Sequence, residues 1–338
     1  MTKGLRMSKF HALIFAVVLT GLCLSSCSPA IPAPLPSATP TPVPSWTPTL
    51  HSFPTETSTA TPPPLVPDFE HIVIVVFENR EFGSVIGNAR MPYFNTLANS
   101  YTLLTQYYAI THPSLPNYLA MIGGDTFGIT FDCISCPIPA DKKSLPDLIE
   151  ASGRTWKTYQ EAMPSPCFSG AEQGDYAIKH NPFIYFMEIR LDAKRCNQSI
   201  VPLTQLPADI AAGTLPNFIF VTPDMCNDAH DCDVPIADAW LQNFMNQLMP
   251  PLDQSGKPYL IVLTWDEGQT NDSCCGLPAE AGGRIATILI SPQAKNGFQD
   301  STPYTHYSLL KTIATAWGLP YLNHAADPQT PIIVAPWK

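Results

Sequence analysis

Basic residues are scarce in this sequence. Only 18 Lys and Arg stand against 28 Asp and Glu, a formal net charge of -10. So acidic a chain does not neutralise a phosphate backbone, which argues against nucleic acid as a partner. Several nucleotide and hydrolase signatures are also missing. There is no GxSxG elbow, no GxxxxGK[ST] loop, no GxGxxG turn and no HExxH helix. Serine-hydrolase, nucleotide-loop and zincin readings lose their main support with them. Beyond residue 67 there is neither an internal repeat nor a second low-complexity break, so one large domain of about 270 residues is expected over 68–338.

The amino terminus does carry a pattern. Lys3, Arg6 and Lys9 precede the apolar run Leu13 to Leu19, then small residues lead to Leu24-Ser25-Ser26-Cys27. That is the layout of a secretory leader, too short to span a membrane with a stop-transfer sequence. It ends in what resembles a bacterial lipobox. Residues 1–26 are therefore expected to be a lipoprotein signal peptide and Cys27 the lipid-bearing residue, giving an exported protein held on the outer side of the cell membrane. Removal of the leader would shift the formal charge to -13, because it holds three basic residues and no acidic one. From Ser28 to Pro67 lie 13 of the 37 prolines, many Ser and Thr, and the lone charge Glu56. Such a segment cannot bury a core and reads as an extended stalk over 27–67.

Eight cysteines then remain: Cys133, Cys136, Cys167, Cys196, Cys226, Cys232, Cys274 and Cys275. In an exported domain an even count reads as a disulfide framework, and 105 pairings are possible. Cys133-Ile-Ser-Cys136 has metal-ribbon spacing without a matching second pair, so a disulfide is expected there too.

Continuous β-branched runs occur at His71–Phe77, 218–221, 259–264 and 285–290, as expected of strands buried on both faces. Helical patterns lie between them, at 93–99, 115–121, 145–151, 236–248 and 304–317. The alternation predicts an α/β fold: a doubly wound, mostly parallel sheet with helices on both faces. Ligands bind such sheets beyond the carboxyl ends of the strands. Three of these strands are followed by Glu78-Asn79, by Asp224 to Asp231 with Asp228 and His230, and by Asp266-Glu267. Each residue alone is an ordinary cap or turn former. Gathered at one edge, they repel unless a divalent cation (Mg, Mn, Ca or Zn) neutralises them.

Thr111-His112-Pro113-Ser114-Leu115-Pro116-Asn117-Tyr118 precedes an apolar helical stretch. Ser114 is thus expected near a helix N-terminus, where free amides and the dipole attract phosphate and favour an alkoxide. A serine there also serves as a plain cap. His306 falls in or near the first turn of a later helix and is the natural last ligand. His51, His71, His180 and His324 are read as structural or solvent-facing.

Together these segments resemble the phosphoesterase family of bacterial phospholipases C and acid phosphatases, within the alkaline phosphatase superfamily. The resemblance rests on Val75-Val-Phe-Glu-Asn-Arg-Glu-Phe82, His112 to Tyr118, Asn227-Asp-Ala-His-Asp231, Thr264-Trp-Asp-Glu-Gly268 and His306-Tyr-Ser-Leu-Leu310, and spans about His71 to Pro320. It implies an alkaline-phosphatase-like sandwich. It further implies Glu78 and Asn79 at the metal or phosphate, Asp266 and Glu267 on the metal shared with the nucleophile, and His230 with His306 at a second cation or phosphate site. Ser114 is then the nucleophile, Asn117 a hydrogen-bond donor to a phosphoryl oxygen, and His112 a leaving-group acid or phosphate orienter. Nucleotide pyrophosphatases place Asp and His four apart, whereas Asp228 and His230 are two apart, so one metal or two remain open. Cys136-Pro-Ile-Pro-Ala140 lacks the arginine of a sulfatase signature. The chain's compactness favours the acid-phosphatase branch, acting on phosphate monoesters, with phospholipid or phosphoinositide headgroups among the candidate substrates. The alternatives are a phospholipase C-type diesterase and a surface-anchored binding protein without catalysis.

Overall fold

The computed structural model describes residues 64–338. The leader, Cys27, His51 and most of the stalk lie outside the described residues. Val66 and Phe69 are already buried in the core, so the domain begins slightly earlier than the sequence suggested.

Nine strands form the sheet: β1 His71–Phe77, β2 Thr102–Tyr108, β3 Trp156–Gln160, β4 Ile200–Pro202, β5 Phe218–Thr222, β6 Tyr259–Trp265, β7 Arg284–Ile290, β8 Gln299–Asp300 and β9 Tyr304–Thr305. Their spatial order is β8-β2-β7-β6-β1-β5-β3-β4, with β9 also beside β2. All neighbours are parallel except those of β7, which runs antiparallel to both β2 and β6. β1, β5 and β6 sit side by side in the centre and are buried from end to end apart from His71. Strands with no polar alternation need cover on both faces.

The cover can be assigned by side-chain parity, since successive residues of a strand point to opposite faces. Five helices matter: α1 Pro92–Ser100, α2 Ser114–Gly123, α3 Leu145–Ala151, α4 Val234–Ser255 and α5 His306–Ala316. Phe77 packs on Phe94 of α1 and Trp240 of α4. Ile72 pairs with Phe218 and Ile74 with Phe220, so these four share the other face. There Phe220 meets Tyr118 of α2, and Phe218 meets Trp317 at the end of α5. Hence α1 and α4 cover one face and α2 and α5 the other, a doubly wound α/β sandwich as expected. Glu78, one residue past Phe77, falls by the same alternation on the α2 face. That parity delivers its carboxylate to Ser114.

All eight cysteines of the domain are paired: Cys133–Cys136, Cys167–Cys196, Cys226–Cys232 and Cys274–Cys275. Among the described residues no helix is long and apolar enough to cross a membrane.

Candidate active site

The carboxyl ends of β1, β5 and β6 converge on one buried polar cluster. α2 begins at Ser114, whose hydroxyl donates to Glu78 Oε2 at 3.0 Å. The Tyr118 hydroxyl, one helical turn further, donates to Glu78 Oε1 at 2.6 Å. The same carboxylate is approached by Asn79 Nδ2 at 2.9 Å and by His180 Nε2 at 3.1 Å. His180 Nδ1 lies 3.4 Å from Asp228 Oδ2. Glu78, His180 and Asp228 each offer a ligand atom, and those atoms all lie within 4.8 Å of one another with every residue buried.

The residues fit a divalent cation on two physical grounds. His180 Nε2, Asp228 Oδ2 and Asp266 Oδ2 are buried without a hydrogen-bond partner, although orphaned buried polar atoms cost about 1–3 kcal/mol each. The two close approaches of the His180 ring lack hydrogen-bonding geometry; two carboxylates and a neutral imidazole are instead a donor set for Zn, Mn or a similar ion. The protonation states agree. Burial, aided by Asp266 and Asp228, raises the Glu78 carboxyl well above its usual range, and burial lifts Asp228 to about 8 and also raises Asp266. Burial pushes His180 down to about 3, keeping its ring neutral at the pH where a ligand must be neutral. These acids are too poorly solvated to ionise alone, and positive charge among them removes the penalty.

The backbone around the cluster is clasped. Asn79 has a φ of 57°, a left-handed conformation that asparagine tolerates, and this turns its amide onto Asp266 Oδ1 at 3.0 Å. Ala229, with φ 75°, tolerates it less well, and its carbonyl accepts from Arg80 at 2.7 Å. Glu81 accepts from the amides of Gln269, Thr270 and Arg284, fastening the end of β1 to the loop after β6.

The Phosphoesterase family profile matches residues 88–320. The chain belongs to the Phosphoesterase family. A phosphate-repressible acid phosphatase of Penicillium chrysogenum is 34% identical over 263 residues, 75% of this chain and 60% of the relative. The chain thus spans about three-fifths of that relative's length. A phosphatidylinositol-3-phosphatase of Mycobacterium tuberculosis is 32% identical over 265 residues, 78% of this chain and 81% of the relative. Among solved structures, a Vibrio parahaemolyticus protein in the alkaline phosphatase superfamily superposes with a TM-score of 0.50 at 11% identity, covering 79% of this chain and 72% of that one. That likeness concerns the fold alone.

The sequence-chosen residues take unequal places. Glu78, Asn79, Ser114, Asp228 and Asp266 lie together at the carboxyl ends of the central strands. Glu267 instead pairs with His112, whose Nδ1 is 3.1 Å from Glu267 Oε2 and whose Nε2 is 3.0 Å from the Thr270 carbonyl. The bond to Glu267 raises His112 to about 9, so its ring is cationic through the acid and neutral range; burial raises Glu267 to about 7.

Asn117, expected to donate to a phosphoryl oxygen, is turned toward the main chain. Its Oδ1 accepts from the amides of Ile110 and Thr111, and its Nδ2 lies within reach of the Thr111 and Pro113 carbonyls and Glu267. Fully engaged, it shapes the loop that presents Ser114. His306 is not in the cluster either. Its Nε2 contacts the Asp266 carbonyl at 2.7 Å and Nδ1 lies 3.4 Å from the Tyr107 hydroxyl, so it supports the Asp266 backbone from below. His230 stands beside His180 with ring centres 5.9 Å apart, but its nitrogens face Asp231 and Lys179. The ring that enters the cluster is His180, which the sequence reading had set aside as structural or solvent-facing. No periodicity or motif marks it; it follows Lys179 in a short 3₁₀ turn within the excursion after β3.

Proposed function

We propose that this phosphoesterase hydrolyses phosphate monoesters through a phosphoserine intermediate, with Ser114 as nucleophile and a divalent metal held by Glu78, His180 and Asp228. The observation that carries the reading is the Ser114 hydroxyl, at the N-terminus of a ten-residue helix, bonded to Glu78, one of the two carboxylates of the three-residue metal group. The phosphatase names of its relatives support the same reaction class. A cation there offsets phosphate charge and lowers the pKa of a neighbouring hydroxyl.

The chain's own residues do the rest. Glu78 accepts the Ser114 hydrogen bond and fixes the hydroxyl rotamer, and the Ser114 proton passes to water as the oxygen attacks. Ser114 Oγ bonds to phosphorus as the bond to the ester oxygen breaks. At the α2 N-terminus the Ser114 amide is left for the incoming phosphate, since residues 113 and 116 are prolines and Leu115 N bonds to Asp132 Oδ1. His112, kept cationic by Glu267, offsets the charge that grows on the departing oxygen and supplies its proton on exchanging a bond with the protein. Water then attacks the phosphoserine and releases inorganic phosphate, restoring the hydroxyl. Export and anchoring through a lipidated Cys27 are part of the proposal, supported by the leader and the lipobox-like Leu24 to Cys27. A lipid-borne phosphate as substrate draws support from the mycobacterial relative's name.

The full chain is tested with p-nitrophenyl phosphate and its bis-ester, with and without EDTA. The expected result is EDTA-sensitive turnover of the monoester at least about tenfold faster than the diester, a difference of about 1.4 kcal/mol in barrier. A preference for the diester would identify a phospholipase C-type reaction, and indifference to EDTA would remove the metal.

A further inference from the structure

A cavity of about 360 Å³ opens beside the cluster, within the range of small-molecule sites. Its apolar wall is made by Ile110, Ile129, Leu277 and Tyr307. Ile110 and Tyr307 form, with Ala120, a small apolar group separate from the main core, and Leu277 packs against it. Such a group adds nothing to sheet packing. It lines a space.

The walls are tied to the reaction centre on four sides. Thr111 lines the cavity and precedes His112, and Asn117 of α2 grips its amide. Thr130 lines it two residues before Asp132, whose Oδ1 accepts from Leu115 N at 3.0 Å, next to Ser114. Tyr307 follows His306, which contacts the Asp266 carbonyl. Leu277 stands in the loop whose Thr270 carbonyl touches His112. Thr111 thus sets one wall of this space next to His112, the proposed proton donor to the leaving group.

The geometry points to a leaving-group subsite for the apolar part of a phosphate monoester, an aromatic ring or branched hydrocarbon seated against Ile110, Ile129, Leu277 and Tyr307. The inference rests on the phosphomonoesterase reading above. Charge narrows the class further. No lysine or arginine lines the cavity, Glu280 does, and its other polar groups are His324 and threonines, so a leaving group with a second phosphate finds no fixed cation there. Burying an aromatic ring against such a wall separates substrates by about 10- to 200-fold.

The test compares kcat/KM for 1-naphthyl phosphate and glycerol 2-phosphate in the full chain and in Leu277→Lys. A parallel arm measures equilibrium binding of 1-naphthyl phosphate to Ser114→Ala with and without Leu277→Lys. The wild type is expected to prefer the naphthyl ester at least about tenfold, and Leu277→Lys to lower that ratio about tenfold and weaken binding in step. Equal ratios and equal binding with and without Leu277→Lys would overturn the subsite and leave the phosphatase reading standing. Absence of turnover on both esters would fell the phosphatase reading, and the binding arm would then decide the subsite by itself.

Discussion

Ser114→Ala is expected to lose at least about 10³-fold in kcat while retaining its fold and its metal, because the only oxygen at the head of α2 able to attack phosphorus is gone. Residual turnover would come from the positioning and charge that remain. The substitution removes one hydrogen bond to Glu78 Oε2, which keeps Asn79 Nδ2 at 2.9 Å as a donor. The stability cost should therefore be about 1 kcal/mol, too little to unfold the chain. Turnover with p-nitrophenyl phosphate, the thermal midpoint and metal content together separate loss of the nucleophile from loss of the fold. A Ser114→Ala protein with normal kcat would mean that the hydroxyl is only a helix cap.

His180→Ala is expected to have the second largest effect. Its ring supplies the sole nitrogen of the three-residue group, beside two carboxylates that burial pushes toward the protonated form. Without it the cation keeps two oxygens and faces competition from protons. Metal affinity should fall by at least about 10- to 100-fold, and turnover with it, recovering in part at high metal concentration. The ring also stacks on Tyr118 at 5.3 Å, so a thermal midpoint is needed beside the metal titration. Recovery of kcat by added metal is the outcome that a purely structural role would not give. Unchanged metal content in His180→Ala would move the site away from Glu78 and Asp228.

The same residue shows where the sequence stopped being legible. β1, β5 and β6 could be read because they are buried on both faces and so carry unbroken apolar runs. Their successors Glu78, Asp228 and Asp266 followed from position alone. β3, Trp156-Lys-Thr-Tyr-Gln160, mixes polar residues into its run, and its Lys157 reaches an ion pair with Asp209 at 2.5 Å. Without an unbroken apolar run it gave no sign that the segment after Gln160 also rises from the carboxyl edge of the sheet, and that segment holds His180. β2 escaped for a related reason, with Thr105 and Gln106 interrupting it near the edge of the sheet. β4 has three residues and no pattern to detect.

Roles were harder to read than places. Asn117 lies one helical turn from Ser114 and His306 lies against Asp266, and their polar atoms serve the Thr111 loop and the Asp266 carbonyl. A motif fixes which residue is present at a turn. It does not say whether the side chain turns outward to a ligand or back to the main chain, since both uses satisfy the same hydrogen-bonding capacity. The charge pattern was equally double-edged: an acidic chain suggested collected carboxylates, but only burial separates Glu78, Asp228 and Asp266 from solvated acids such as Asp272.

The central claim, a covalent step on Ser114, is tested most directly by acid-quenching the metal-loaded full chain during turnover of a phosphate monoester and mapping phosphate by peptide mass spectrometry. The expected result is a phosphoryl group on the peptide that contains Ser114, formed within the first turnover and absent after EDTA treatment. Steady turnover with no phosphorylated peptide at any quench time, or phosphate on a different residue, would contradict it.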